Sequence, residues 1–225
     1  MTNEDAAMPR EKSGIKGWKG FVVLALAGGG VGYLVGMTAA RAGLDIDTQT
    51  MSALGTSGVV ALAIGAIYLL VGLVLLAALI RPSIGHNLLT GVNADDLADA
   101  RPLYLMQGAA AALLGLALIA LTVSGPGLWL DRTVGAVAFV ALLVAGLVVW
   151  MRSMPNMDEL LQAANRDSVI WSYVLVATIG GGWAAASHLG FVDAPSPLDW
   201  ISLFWGMALI GSTVAAARWG MLIEE

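Results

Sequence analysis

The chain has 225 residues, of which 58% are hydrophobic and 12% are charged, whereas an ordinary soluble domain carries about 25% charged residues. This composition excludes a soluble globular domain and indicates an integral membrane protein. The net charge of −5 argues against nucleic-acid binding, and the absence of cysteine excludes disulfides, thiolate metal ligands and cysteine nucleophiles.

Apolar runs recur along the whole sequence, each close to the roughly 20 residues that cross a hydrocarbon core. They predict an all-α, polytopic membrane fold of six transmembrane helices arranged as three hairpins. The predicted spans, numbered one to six, are residues 21–40, 56–80, 102–123, 133–150, 168–189 and 199–217. We expect a cytoplasmic N-terminal segment at residues 1–19 and a single membrane bundle at 20–225, with hairpins at about 20–81, 102–152 and 168–218.

Glycine dominates span one. Gly28, Gly32 and Gly36 stand four residues apart, so on a helix they form one bare stripe along which another backbone can approach closely. The uncharged run of 20 residues is longer than the apolar region of a signal peptide, about 7–15 residues. We therefore expect an uncleaved first transmembrane helix.

Small residues mark the later spans as well. Span two carries Gly58, Gly65 and Gly72 at intervals of seven residues, span three carries Gln107 beside a block of small residues, and span four is almost wholly aliphatic. A polar connection with helical spacing, residues 153–167, leads into span five. The sequence therefore predicts a helical extension at the start of span five.

Span five contains a second small-residue stripe. Ala177, Gly181 and Ala185 again stand four residues apart. We expect spans one and five to use these stripes for close packing, against each other or against another chain. Gly32→Leu should then disrupt assembly.

The basic residues predict the orientation. With the N-terminus in the cytoplasm, the inside segments hold nine basic residues and the outside loops hold two, Arg41 and Arg132. Cytoplasmic segments carry the excess of Lys and Arg, so both termini are expected inside, in a bacterial inner (cytoplasmic) membrane.

Two acidic groups lie in the predicted inside segments. Asp95, Asp96 and Asp99 precede span three, and Asp158 with Glu159 precedes span five. Carboxylates at this face could form a site for a basic partner or a divalent cation. Acidic residues are also favoured in the first turn of a helix, and that explanation accounts for the same residues.

Residues for catalysis are sparse. No Asp, Glu, Lys, Arg or His lies in the middle of a predicted span, which disfavours proton relays and ion-coupled transport. His86 and His188 fall on opposite sides of the predicted membrane, so they cannot share a metal or a haem. We predict no catalytic residues, no metal site and no cofactor.

The C-terminal third carries a resemblance. Residues 157–160, the glycine-containing span five, the Pro-containing loop within 191–200 and the terminal Arg218 resemble the tail of uncharacterised small multi-pass membrane proteins of proteobacteria. The chain departs from their pattern by lacking a basic pair after Asp158 and Glu159 and by ending span six in one arginine. The resemblance implies that the protein accompanies a small helix-turn-helix transcription regulator and restrains it at the membrane.

Two functions remain open from the sequence. The first is a non-enzymatic interaction or regulatory protein that packs through Gly/Ala helix faces, in a homo-oligomer or with a partner in the membrane or cytoplasm. The alternative is a passive carrier, or a lipid- or quinone-binding subunit, for a neutral or amphipathic molecule. The alternative predicts a cavity within the membrane, lined by some of Gln107, Tyr68, Tyr173 and Thr178.

Overall fold

A computed structural model describes residues 48–80 and 100–220. The predicted span one and the acidic segment before span three lie outside the described residues. Their predicted functional residues are Gly28, Gly32, Gly36, Asp95, Asp96 and Asp99.

The described residues are helical almost throughout. A 3-10 turn at Met154–Asn156 and a π-helical segment at Val176–Gly180 interrupt the α-helices. The α-helices are α1 (Thr48–Ile80), α2 (Arg101–Thr122), α3 (Arg132–Ser153), α4 (Glu159–Leu175), α5 (Gly181–His188) and α6 (Pro197–Arg218).

Five helical stretches of the described residues are long and apolar enough to cross a membrane, with α4, the π-helical segment and α5 counting as one stretch, Glu159–His188. They coincide with predicted spans two to six. The described part of the chain is therefore all-helical and suits a multi-pass position in a membrane.

Local chemistry explains where several helices begin. Gly55 has φ 61° inside α1, a left-handed conformation that glycine tolerates, and the regular helix continues from residue 56, the predicted start of span two. Asp158 caps α4 by accepting a hydrogen bond from the Leu161 amide at 2.7 Å, and the predicted extension at 153–167 is continuous helix with span five from Glu159 onward. Ser196 and Asp199 form a capping box that starts α6.

The helices pack in two groups. α2 lies between α1 and α3, α6 packs on α4, and a smaller interface between α1 and α6 joins the groups. The order in space is thus α3, α2, α1, α6, α4. Because the short connection from Met154 to Asp158 joins α3 to α4, the two ends of this row must come close together at one end of the molecule.

Glycines bring α1 and α2 into backbone contact. A Cβ atom built on Gly72 would lie 2.5 Å from the Ala112 amide nitrogen and 2.6 Å from the Gly108 carbonyl oxygen. One built on Gly115 would lie 2.6 Å from the Gly65 carbonyl oxygen. Span two therefore uses its seven-residue glycine spacing for packing inside the protein.

Polar side chains supplement these contacts at two interfaces. Between α2 and α3, the Gln107 side-chain amide donates to the Ser153 hydroxyl at 2.8 Å, and Ser153 is fully buried. Between α1 and α6, the Tyr68 hydroxyl donates to the Trp205 carbonyl oxygen at 3.1 Å. These bonds fix how the helices are rotated against one another in surroundings that offer few other partners.

Candidate interaction surface

The predicted stripe of span five lies on the outside of the described structure. Ala177, Gly181 and Ala185 are all exposed, as is Gly182. A Cβ atom built on Gly181 or on Gly182 would meet no other atom of the described residues within 4 Å. We call these four residues the small-residue face.

The third glycine of the triplet behaves differently. Gly180 is buried, and a Cβ atom there would lie 2.8 Å from the Trp200 ring and 2.7 Å from the Leu203 side chain, both on α6. Gly180 therefore serves packing within the protein, while its two neighbours leave the small-residue face bare.

A π-helical segment runs through this region. Within Val176–Gly180 the backbone is wider than an α-helix, and the Thr178 hydroxyl donates to the carbonyl oxygens of Val174 at 2.8 Å and Leu175 at 3.3 Å. Such segments interrupt α-helices mostly as single turns and frequently occur at functional sites. Here the widened turn lies beside the small-residue face.

The exposed face of α3 has a different composition. Val134, Val137, Val140 and Val144 are between 53% and 65% exposed and form an aliphatic surface. Branched aliphatic side chains cover the helix backbone and suit contact with lipid tails. The small-residue face offers its backbone instead, together with Tyr173, which is 74% exposed one turn earlier.

Four arginines lie at the end of the molecule where α2 begins and α3 and α6 end. We call this the basic end; its arginines are Arg101, Arg152, Arg166 and Arg218. Asp158 and Glu159 are also here. Asp158 uses its carboxylate to cap α4, and Glu159 is exposed in the first turn, so both stand where the helix dipole favours acidic groups.

A cluster that the sequence reading missed ties α4 to α6 at the basic end. The Asp167 carboxylate lies 3.3 Å from the Arg218 guanidinium and accepts a hydrogen bond from the Trp219 indole at 3.2 Å. The Arg218 guanidinium also stands over the Trp171 ring, 5.9 Å from its centre. Asp167 and Trp171 stand four residues apart, on the same side of the helix, and this spacing is the sequence pattern that could have predicted the cluster.

The polar side chains that the carrier hypothesis needed do not come together. Gln107 and Tyr68 make the bonds described above, Thr178 bonds to its own helix, and Tyr173 points outward. A cavity of about 280 Å³ lies at the opposite end from the basic end, between α1, α2 and α6. It is lined by other residues, among them Leu54, Leu121 and Leu198.

Two buried polar atoms on α6 have no hydrogen-bond partner among the described residues, the Ser202 hydroxyl and the Trp205 indole nitrogen. They lie three residues apart, on one side of the helix. His, Asp and Glu side chains of the described stretches nowhere gather in a group of three that could hold a metal ion.

Comparison with known proteins gives no match: no protein-family model, no curated protein and no solved structure resembles this chain. Function must therefore be argued from the surface chemistry described above.

Proposed function

We propose that the protein is a non-enzymatic, six-span protein of the bacterial inner membrane that binds a transmembrane helix of another protein through the small-residue face. The observation that carries the proposal is the open space at Gly181 and Gly182. Elsewhere in the spans, the glycines at 65, 72, 108, 115 and 211 lie against neighbouring backbone. The small-residue face, on the π-helical segment and α5, has the same chemistry and lacks a neighbour in the described structure.

The physics of association in lipid supports this reading. Lipid tails are as apolar as leucine, so helices associate through close packing and hydrogen bonds and not through a hydrophobic driving force. A glycine that faces lipid gains nothing from its small size and lowers helix stability by about 0.5–1 kcal/mol relative to alanine. Two adjacent glycines therefore favour a surface that another helix covers.

The proposed orientation has both termini in the cytoplasm. Four of the five arginines among the described residues lie at the basic end, and Arg132 lies at the other. This distribution supports placing the basic end inside. The resemblance in the C-terminal third adds a role for this binding: it holds a small transcription regulator at the membrane. The regulator binds this protein either directly or through the protein whose helix covers the small-residue face.

Photo-crosslinking tests the proposal. A photoactivatable residue replaces Ala185, and the same residue at the exposed Val140 of α3 serves as the matched control. We expect position 185, but not position 140, to capture one membrane protein that also co-purifies in detergent. Gly181→Leu should abolish this capture, because a leucine side chain would hold the partner helix away.

Other products would contradict the proposal. A crosslink to residues 21–40 of the same chain would mean that predicted span one covers the small-residue face. A second copy would mean a homo-oligomer, and lipid alone would mean that no helix binds there. A capture that persists in Gly181→Leu would show that the small residues are not the contact.

A further inference from the structure

A groove lies at the basic end between the end of α3 and the first half of α4. Its volume is about 560 Å³, within the range of about 300–1,000 Å³ that small-molecule sites occupy. The groove exists because α3 and α4 are the two ends of the helix row: the short connection brings them together, but each packs mainly on a different neighbour. No helix of the described part fills the space between them.

The two walls of the groove differ in polarity. The wall formed by the end of α3 and the connection is apolar and consists of Trp150, Met154, Pro155 and Met157. On the α4 wall, Gln162, Asn165 and Arg166 lie nearer the helix start, and Val169 and Ile170 lie nearer the spans. The α4 positions follow a spacing of three and four residues, so they share one face of the helix. Along the α4 wall, the lining side chains therefore change from polar to apolar in the direction of the spans.

This change falls at the expected depth of the membrane boundary. The stretch Glu159–His188 has 30 residues, about 45 Å of helix at 1.5 Å per residue, whereas the hydrocarbon core is about 30 Å thick. The excess of about 15 Å corresponds to about ten residues, and the polar first third of the stretch, residues 159–168, is the natural candidate for the headgroup region. Trp150 lies near the end of its span, where tryptophan is favoured at the interface.

Arg166 brings a positive charge that the described residues do not neutralise. No carboxylate of the described stretches lies within 4.0 Å of its guanidinium, while the neighbouring Asp167 is paired with Arg218. A guanidinium matches the oxygens of a phosphate group with two parallel hydrogen bonds. An anion beside an apolar slot is therefore the complementary ligand.

We propose that the groove binds one anionic glycerophospholipid, with an acyl chain against Trp150, Val169 and Ile170 and its phosphate at Arg166. A free phosphate would leave the apolar walls unused, and in a zwitterionic lipid such as phosphatidylcholine the headgroup ammonium would offset the attraction between its phosphate and Arg166. The site is separate from the small-residue face and does not depend on the partner proposed there.

Lipid binding by the full-length, delipidated protein tests this site. Native mass spectrometry with phosphatidylglycerol and with phosphatidylcholine of the same acyl chains measures the preference for the anionic lipid. A basic residue near an anionic surface contributes about 1 kcal/mol, which corresponds to about fivefold in affinity. Arg166→Gln should lower the preference about fivefold, and Arg166→Lys should keep most of it.

Arg152→Gln is the matched control, because Arg152 is exposed in the last turn of α3 at the same end but does not line the groove. It should leave the preference unchanged. Ile170→Trp, which fills the apolar part, should weaken both lipids. Equal losses in the two glutamine variants, no preference in the original protein, or displacement of the lipid by inorganic phosphate would each overturn the proposal.

Discussion

Alanine at position 72 should destabilise the protein, although alanine is the better helix former. Gly72 is buried at the crossing of α1 and α2, where an added Cβ atom would lie 2.5 Å from the Ala112 amide nitrogen and 2.6 Å from the Gly108 carbonyl oxygen. Both obstacles are backbone atoms, so no side chain can rotate away. The two helices would have to separate.

The size of the effect follows from these distances. Favourable contacts need about 3.5–4.0 Å between heavy atoms, so the helices must move apart by about 1 Å. A gap of this size removes about a quarter to a half of each contact energy nearby, and overpacking in cores costs about 1–3 kcal/mol. Alanine returns about 0.5–1 kcal/mol of helix stability, which leaves a net loss of about 1 kcal/mol and at most about 2.5 kcal/mol.

Unfolding by sodium dodecyl sulfate in mixed micelles measures this change in the free energy of unfolding. Gly182→Ala is the matched control, because no atom of the described residues lies within 4 Å of the added Cβ. That variant should be neutral or more stable by about 0.5–1 kcal/mol. The reasoning fails if Gly72→Ala is as stable as the original protein, or if both variants lose stability equally.

Three further changes test other contacts. Removing the hydrogen bond between Gln107 and Ser153 should reveal a coupling energy of about 0.6–1.7 kcal/mol in a double-mutant cycle with Gln107→Leu and Ser153→Ala; additive losses would mean that the bond contributes nothing. Asp167→Asn should lower the free energy of unfolding by less than about 1 kcal/mol, since its partner arginine is 58% exposed, and the loss should shrink in high salt. The backbone amide of Thr133 holds the pKa of Asp131 below its ordinary value, so its contribution to stability is present above about pH 3.9 and is lost as the pH falls through the lowered pKa. Thermal unfolding of Asp131→Ala should therefore differ from the original protein at pH 7 and converge with it in acid; a constant difference would contradict this.

Hydropathy located the described helices because the bilayer sets a length that the chain must match. Predicted spans two to six each coincide with a helix that could cross a membrane. Helix ends were harder to place. The helical spacing of residues 153–167 predicted an extension before span five, but α4 begins at Glu159, six residues after the predicted start of that extension, because Asp158 caps the helix there. The π-helical segment gave no sequence signal at all.

Small-residue spacing did not say which faces would be covered. Gly65 and Gly72 pack on α2, and the Ala177, Gly181 and Ala185 stripe faces outward, yet both patterns are regular and uncharged. The groove at Arg166 could not be predicted either, because its walls come from α3 and α4. The sequence of one helix does not determine the position of the other.

The sequence by itself determined where the described helices lie and that five helical stretches among them are long and apolar enough to cross a membrane, because those properties depend on each segment's own hydropathy and length. Among the described residues, tertiary structure alone decided that Gly180 is buried while Gly181 is open, and that Arg218 has a carboxylate within 4.0 Å while Arg166 has none. In each of these pairs the two residues are of the same type and differ in whether a neighbouring helix lies against them. The packing of the helices sets that difference, and the sequence of a single helix does not encode it.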